Sequence, residues 1–181
     1  MDKLGQANKV NWLVLAPKDK IILAFPDLGK DRNFKITSEE DHSYNCIAWA
    51  GLKNNIFWWP HPQANILDGI EWPFNLPLDQ NLETFTNLYE NLGYSICNSW
   101  EFEDQFQKIA IYVFKNNCTH AARQNYNGLW TSKLGRYQDI CHTDPYSLIN
   151  SEYGEPVRFM KRGNSSYDIR KIKKGIDKNK S

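Results

Sequence analysis

Nothing in this chain is long and apolar enough to cross a bilayer as a helix. The longest clean apolar runs, Trp12–Ala16 and Ile21–Phe25, fall far short of the ~20 residues a spanning helix needs. A basic start followed by a ~7–15-residue apolar stretch is also missing, so no secretory signal is expected. Cysteine is sparse. Cys46, Cys97, Cys118 and Cys141 are the 4 in 181 residues, too few for a disulfide framework to be required. A Gly-rich phosphate loop, H-E-x-x-H and G-x-S-x-G are all absent, which weakens nucleotide, zinc-protease and serine-hydrolase readings. Internal repeats and long low-complexity segments are absent too. What remains is a cytoplasmic globular protein with no cofactor called for and no membrane contact.

Aromatic residues are plentiful: 7 Trp, 9 Tyr and 9 Phe argue against a disordered chain. At ~100–200 residues per domain, the length implies one domain, with enough chain to bury a real core. Charge is uneven. Residues 161–181 carry eight basic and two acidic side chains, a net of +6, which leaves −5 for residues 1–160. The expected division is one domain over 1–160 and a solvated basic tail over 161–181. The tail lacks the interleaved aromatics of a base-stacking platform, which disfavours nucleic acid as a partner.

Residues 9–25 hold two apolar runs split by Pro17–Lys20 and read as a strand pair. Small, apolar residues follow Cys46, with Ser43 or Asn45 available as an N-cap, so Cys46 is expected in the first turn of a buried helix. Prolines then punctuate an aromatic loop region, Phe57–Pro62 and Trp72–Phe74. Leu82, Phe85, Tyr89 and Leu92 share helical spacing, which predicts a helix over Asp79–Leu92 stopped by Gly93. Strands are expected at 108–114, 118–124, 129–134 and 157–160, with a hairpin at Asn127-Gly128. The order implies an α+β fold.

The chemistry centres on Cys46. A helix N-terminus lowers a thiol pKa, and the resulting thiolate needs a base brought to it by the fold. His120, on a central strand between small residues, is the best partner. The third group depends on the hairpin register. A two-residue turn puts Thr131 and Lys133 on the His120 face, whereas a three-residue loop, 126–128, brings Ser132 there. Lys133 has no acceptor with which to orient an imidazolium. Ser132, Asp139 and His142 are therefore the candidates. Asn45 could add a donor to an oxyanion hole built on the Cys46 backbone N–H, besides its role as cap. Trp49, Trp58, Trp59 and Lys133 could line a substrate cleft, or the tryptophans could simply close the core. Cys118, His120, Cys141 and His142 make a zinc-like ligand set, but Cys118 and His120 share a strand face while Cys141 and His142, being adjacent, point apart. No metal site is expected.

Tyr44-Asn45-Cys46-Ile47-Ala48-Trp49-Ala50, Thr119-His120-Ala121-Ala122-Arg123-Gln124 and Gly128-Leu129-Trp130-Thr131-Ser132-Lys133-Leu134-Gly135 together resemble a bacterial family of uncharacterised domains. Trp58-Trp59-Pro60, Asn91–Tyr94, Lys108–Tyr112 and Tyr153-Gly154 look like weaker landmarks of it. The similarity covers roughly residues 25–162 and carries no activity of its own. More coarsely, a Cys at a helix start followed by a His on a later strand resembles the papain-like NlpC/P60 and CHAP amidases. That resemblance implies Cys46 as nucleophile and His120 as base, while Thr131-Ser132-Lys133 departs from it at the third position. The expected function is a papain-like cysteine hydrolase or acyltransferase acting on a peptide, amide or isopeptide bond of a peptide or protein substrate. The alternative is a non-catalytic binding or immunity-type module of the same fold, working through its Trp-rich loops and basic tail.

Overall fold

The structure, a computed structural model, describes residues 15–66 and 69–163. The expected tail therefore lies almost wholly outside the described residues. Its first members, Lys161 and Arg162, belong instead to the last strand.

Among the described residues three α-helices and nine strands follow in the order α1 (Pro17–Ala24), β1 (Lys35–Ile36), α2 (Cys46–Ala50), β2 (Phe57–Trp58), β3 (Ile70–Glu71), α3 (Leu82–Glu90), β4 (Ser95–Cys97), β5 (Phe106–Phe114), β6 (Asn117–Gln124), β7 (Trp130–Lys133), β8 (Asp139–His142) and β9 (Glu155–Gly163). Seven of the strands form one antiparallel sheet ordered β1-β8-β7-β6-β5-β9-β4, and β2 pairs with β3 in a small parallel ribbon. The class is α+β. The strand pair expected across 9–25 is instead α1. Pro17 occupies its first turn, where the missing N–H costs nothing, so proline here opens a helix instead of breaking a hairpin. Residues 9–14 lie outside the described set.

The sheet is covered on both faces, which is why β5 reads as an almost unbroken apolar run. On one face Ile109, Ile111, Cys118, Ala121 and Met160 pack with Cys46, Ile47, Ala48 and Ala50 of α2 and Phe85, Leu88 and Tyr89 of α3. On the other, Ala110, Tyr112, Ala122, Trp130 and Ile140 pack with Ile21, Phe25, Leu28 and Leu148. α3 is shorter than the periodicity suggests because Asp79 lies ahead of it, accepting from Asn81 N (3.1 Å) and Thr84 Oγ1 (2.6 Å). Gly93, at φ +85°, ends it as expected.

Two irregularities place the site residues. Tyr112 faces His120 but Val113 faces Cys118, so Thr119 is an extra residue in β6. A second shift falls beside it, where Ile111 faces Arg158 but Tyr112 faces Pro156. These are β-bulges, and each moves the following side chains to the other face. Gly154 closes in on the same point: at φ +71°, a Cβ there would stand 1.9 Å from Val113 O.

Candidate functional site

Asn45 caps α2. Its Oδ1 accepts from Ala48 N (3.1 Å) and from Trp58 N (3.2 Å), and its Nδ2 donates to Trp58 O (2.7 Å). The side chain thus ties the helix start to β2, filling the cap role read for it from the sequence, with its Nδ2 engaged by Trp58 O and not turned toward Cys46. Cys46 follows in the first turn, as the sequence predicts. Its thiol is buried, and burial pushes its pKa up to about 11, outweighing N–H donors from Ala121, Ile47 and its own residue.

His120 is fully buried on the opposite side of β6. It pairs directly with Tyr112, and its ring lies flat against Tyr153 at 4.1 Å and edge-on to Tyr112 at 5.0 Å. Adjacent strand residues alternate faces, so His120 shares the side of Ala122 while Cys46 packs on the side of Ala121. Neither ring nitrogen has a hydrogen-bond partner. Burial holds this imidazole neutral, its pKa down at about 3. The Cys46–His120 pair read from sequence order is not assembled: the sulfur and the imidazole lie on different faces of one strand. The Thr119 bulge also parts Cys118 from His120, which the sequence reading placed on one face.

The hairpin adopts the three-residue alternative. Arg123 faces Thr131, Asn125 N bonds Leu129 O at 2.7 Å, and Gly128 supplies a left-handed φ of +85°. Ser132 accordingly lies on the His120 side, but its Oγ bonds His142 Nε2 at 3.0 Å. His142 Nδ1 meets Asp144 O at 2.8 Å; a carbonyl only accepts, so Nδ1 carries the proton and Nε2 accepts from Ser132. Both side chains are sealed from solvent, and burial lowers His142 to about 4. Asp139 goes to the opposite face. The three candidate third groups therefore do not converge on a Cys46–His120 pair.

What converges instead is the cationic and aromatic content of the three motif stretches. Arg123 stacks 4.0 Å over Trp49, Trp49 stacks on Tyr44 at 5.8 Å, and Lys133 Nζ sits 4.4 Å over Tyr44. Cation, indole, phenol and cation make one ladder on the α2 side of β6–β8. Its rungs are fixed by hydrogen bonds: Trp49 Nε1 to Thr131 Oγ1 (3.3 Å), Thr131 Oγ1 to Arg123 O (3.1 Å) and Tyr44 OH to Asp139 Oδ2 (2.6 Å). Lys133 also donates to Tyr137 O and lies 3.7 Å from Asp139 Oδ1. Burial lowers the Lys133 pKa and raises that of Asp139, each opposing the charge it must carry. Tyr44 and Arg123 were not singled out from the sequence as functional. The available signal was their place inside the same motif stretches as Cys46 and His120.

Of the proposed cleft residues, Trp58 is buried against Gly51 and closes the core, and Lys133 is sealed within the ladder. Trp59 is half-buried beside Phe85 (6.0 Å). Trp49 is half-buried with a cation on one face and a phenol on the other. A groove of about 620 Å³ is lined by residues such as Lys30, Arg32, Asn33 and Tyr146 and includes neither Cys46 nor His120. Among the described residues no three His, Cys, Asp or Glu side chains group as a metal site, and no helix is long and apolar enough to cross a membrane.

A family model described as "Domain of unknown function (DUF7689)" matches residues 35–161. No curated protein and no solved structure matches the chain.

Proposed function

The chain belongs to the DUF7689 family, a domain of unknown function, and from that premise we propose that it is a non-catalytic protein-recognition module built on a papain-like arrangement of helix against sheet. The separation of the Cys46 sulfur from the His120 imidazole carries this reading. A thiol held up at about 11 stays protonated near neutral pH, and an imidazole held down near 3 is neutral but far too weak a base to take its proton.

The recognition surface is the proline-punctuated loop that follows β3. Phe74 sits at φ +64° and Asn75 at φ +52°, and Phe74 is exposed. A bulky residue in the left-handed region costs on the order of 1–3 kcal/mol and persists where its surroundings impose it. Here Trp72 imposes it. Its indole is buried 5.3 Å from the Phe85 ring and donates to Pro77 O (2.9 Å), and its backbone is paired to the Asn65 side chain (3.0 and 3.1 Å). Phe74, Leu78 and Ile66 consequently project from a pinned frame. Residues 54–81 hold three acids and no Lys or Arg, so the matching partner is a protein surface with an apolar socket in a basic setting.

Thiol alkylation by iodoacetamide near neutral pH tests the non-catalytic reading. The half-buried Cys97 and Cys141 are expected to react before the buried Cys46 and Cys118. Preferential alkylation of Cys46 would overturn it.

A further inference from the structure

Arg123 is the one arginine of the motif stretches, and its charge is not balanced by contact. Its Nη1 donates to Trp49 O (2.9 Å), the last turn of α2, and its plane is fixed against the Trp49 indole. Among the described residues it makes no ion pair with any carboxylate. Asp139 is near enough to influence it, but that carboxylate is held by Tyr44 and Lys133. The Nε is buried with no hydrogen-bond partner. The Nη2 likewise has no protein partner among the described residues, and unlike Nε it is not sealed from solvent. The Nε–H and the adjacent Nη2–H form the edge of a guanidinium that takes a carboxylate or phosphate through two parallel bonds. That edge is unused, while the other edge and the flat face are locked.

We propose that Arg123 is the anchor of an oxyanion subsite, taking the carboxylate or phosphoryl group of a ligand on its Nε–Nη2 edge. Nη2 is the end of that edge that reaches solvent, and the sealed Nε meets the second oxygen once the side chains over it shift aside. Arg162 of β9 reinforces the positive potential. It also lacks an acidic partner among the described residues, its Nη1 going to Leu92 O (3.0 Å) and its Nη2 to Gln107 Oε1 (3.2 Å). Its charge acts on Arg123 as a repulsion that a bound anion relieves. Burial draws the Arg123 pKa down to about 10, and the charge of nearby Asp139, which makes no direct contact, offsets it only in part. A bare carbonyl cap would explain Nη1 alone; it leaves the two-donor edge without a purpose. The subsite uses neither Cys46 nor His120 nor the Phe74 loop, so it stands or falls separately from the recognition reading.

The test is a titration of the full chain with sodium acetate and with sodium phosphate, each against sodium chloride at equal ionic strength. It is followed by the Arg123 Nε–H resonance and by the melting temperature. A saturable shift of that resonance with a rise in Tm is expected for at least one of the two anions and not for chloride. The anion that saturates at the lower concentration identifies carboxylate or phosphate as the ligand chemistry. Arg123→Lys keeps the charge but removes the fork and should weaken the effect at least tenfold; Arg162→Gln should weaken it several-fold while leaving Arg123 in place. Should Arg123→Lys fail to fold, the wild-type resonance and Arg162→Gln still decide. A response that chloride reproduces, or that Arg123→Lys retains in full, would overturn the subsite.

Discussion

Asn45 does more for the α2 region than Cys46 beside it. One side-chain amide satisfies an orphan N–H of the helix and both backbone polar groups of Trp58, so Asn45→Ala removes a cap worth ~1 kcal/mol and leaves buried backbone groups unpaired. A loss of about 2–3 kcal/mol is expected, read as a fall in the urea midpoint. Cys46→Ala, a buried small side chain losing only its sulfur, should cost about 1 kcal/mol or less. A larger loss at Cys46 than at Asn45 would show that the sulfur carries structural weight not visible in its contacts. Gly154 is a harder constraint than either. Its left-handed φ and the 1.9 Å approach of an added Cβ to Val113 O concern backbone, which cannot swing aside. Gly154→Ala should destabilise by roughly 3 kcal/mol or more, or prevent folding, by the same measurement.

At the scale of elements, what could be read in advance was whatever obeys a local rule. The Asn45 cap, the Gly93 stop, the α3 periodicity and the Asn127-Gly128 hairpin all follow from a few adjacent residues. The sequence allows two loops at that hairpin, and the register between them decides the face of Ser132 and Lys133. The misreadings have tertiary causes. Pro17 opens a helix because α1 has a core face to cover, with Ile21 buried. The Thr119 bulge carries no glycine to announce it, yet it puts Cys118 on the face of Cys46, away from His120, whose own side is set by alternation with Ala121. The ladder of Arg123, Trp49, Tyr44 and Lys133 joins residues up to 89 positions apart and has no local signature. The Phe74 loop belongs to the same group, since its strain depends on Trp72 being buried. Phe74→Gly relieves the left-handed strain and sacrifices only half-exposed surface, so stability should stay level or rise by up to about 1 kcal/mol while partner binding falls. A loss of more than 1 kcal/mol in the urea midpoint would mean that Phe74 is there for packing.

For the molecule as a whole, the covered sheet makes stability sensitive to mild acid. His120 and His142 lie on the same face, both fully buried and both neutral, with folded pKa values of about 3 and about 4. Ser132, the Asp144 carbonyl, Tyr112 and Tyr153 surround them, and the nearer carboxylates, Asp31 and Asp144, do not offset the burial. In the unfolded chain the same imidazoles titrate near 6.5. The unfolded state therefore binds more protons below that pH, and stability must fall as pH drops from 6.5 toward 4. Two groups acting together remove roughly 3 kcal/mol by pH 5.5, a large share of the 5–15 kcal/mol of an ordinary domain. Urea midpoints at pH 7.5, 6.5 and 5.5 should show the decline. His120→Phe keeps a flat ring against Tyr153 and removes one of the two titrating groups along with its two unpartnered nitrogens. It should halve the decline and gain more over the parent protein at pH 5.5 than at pH 7.5. A parent midpoint that is flat from 6.5 to 5.5 would mean that the imidazoles are reached by water. An undiminished decline in His120→Phe would place the acid sensitivity in some other group.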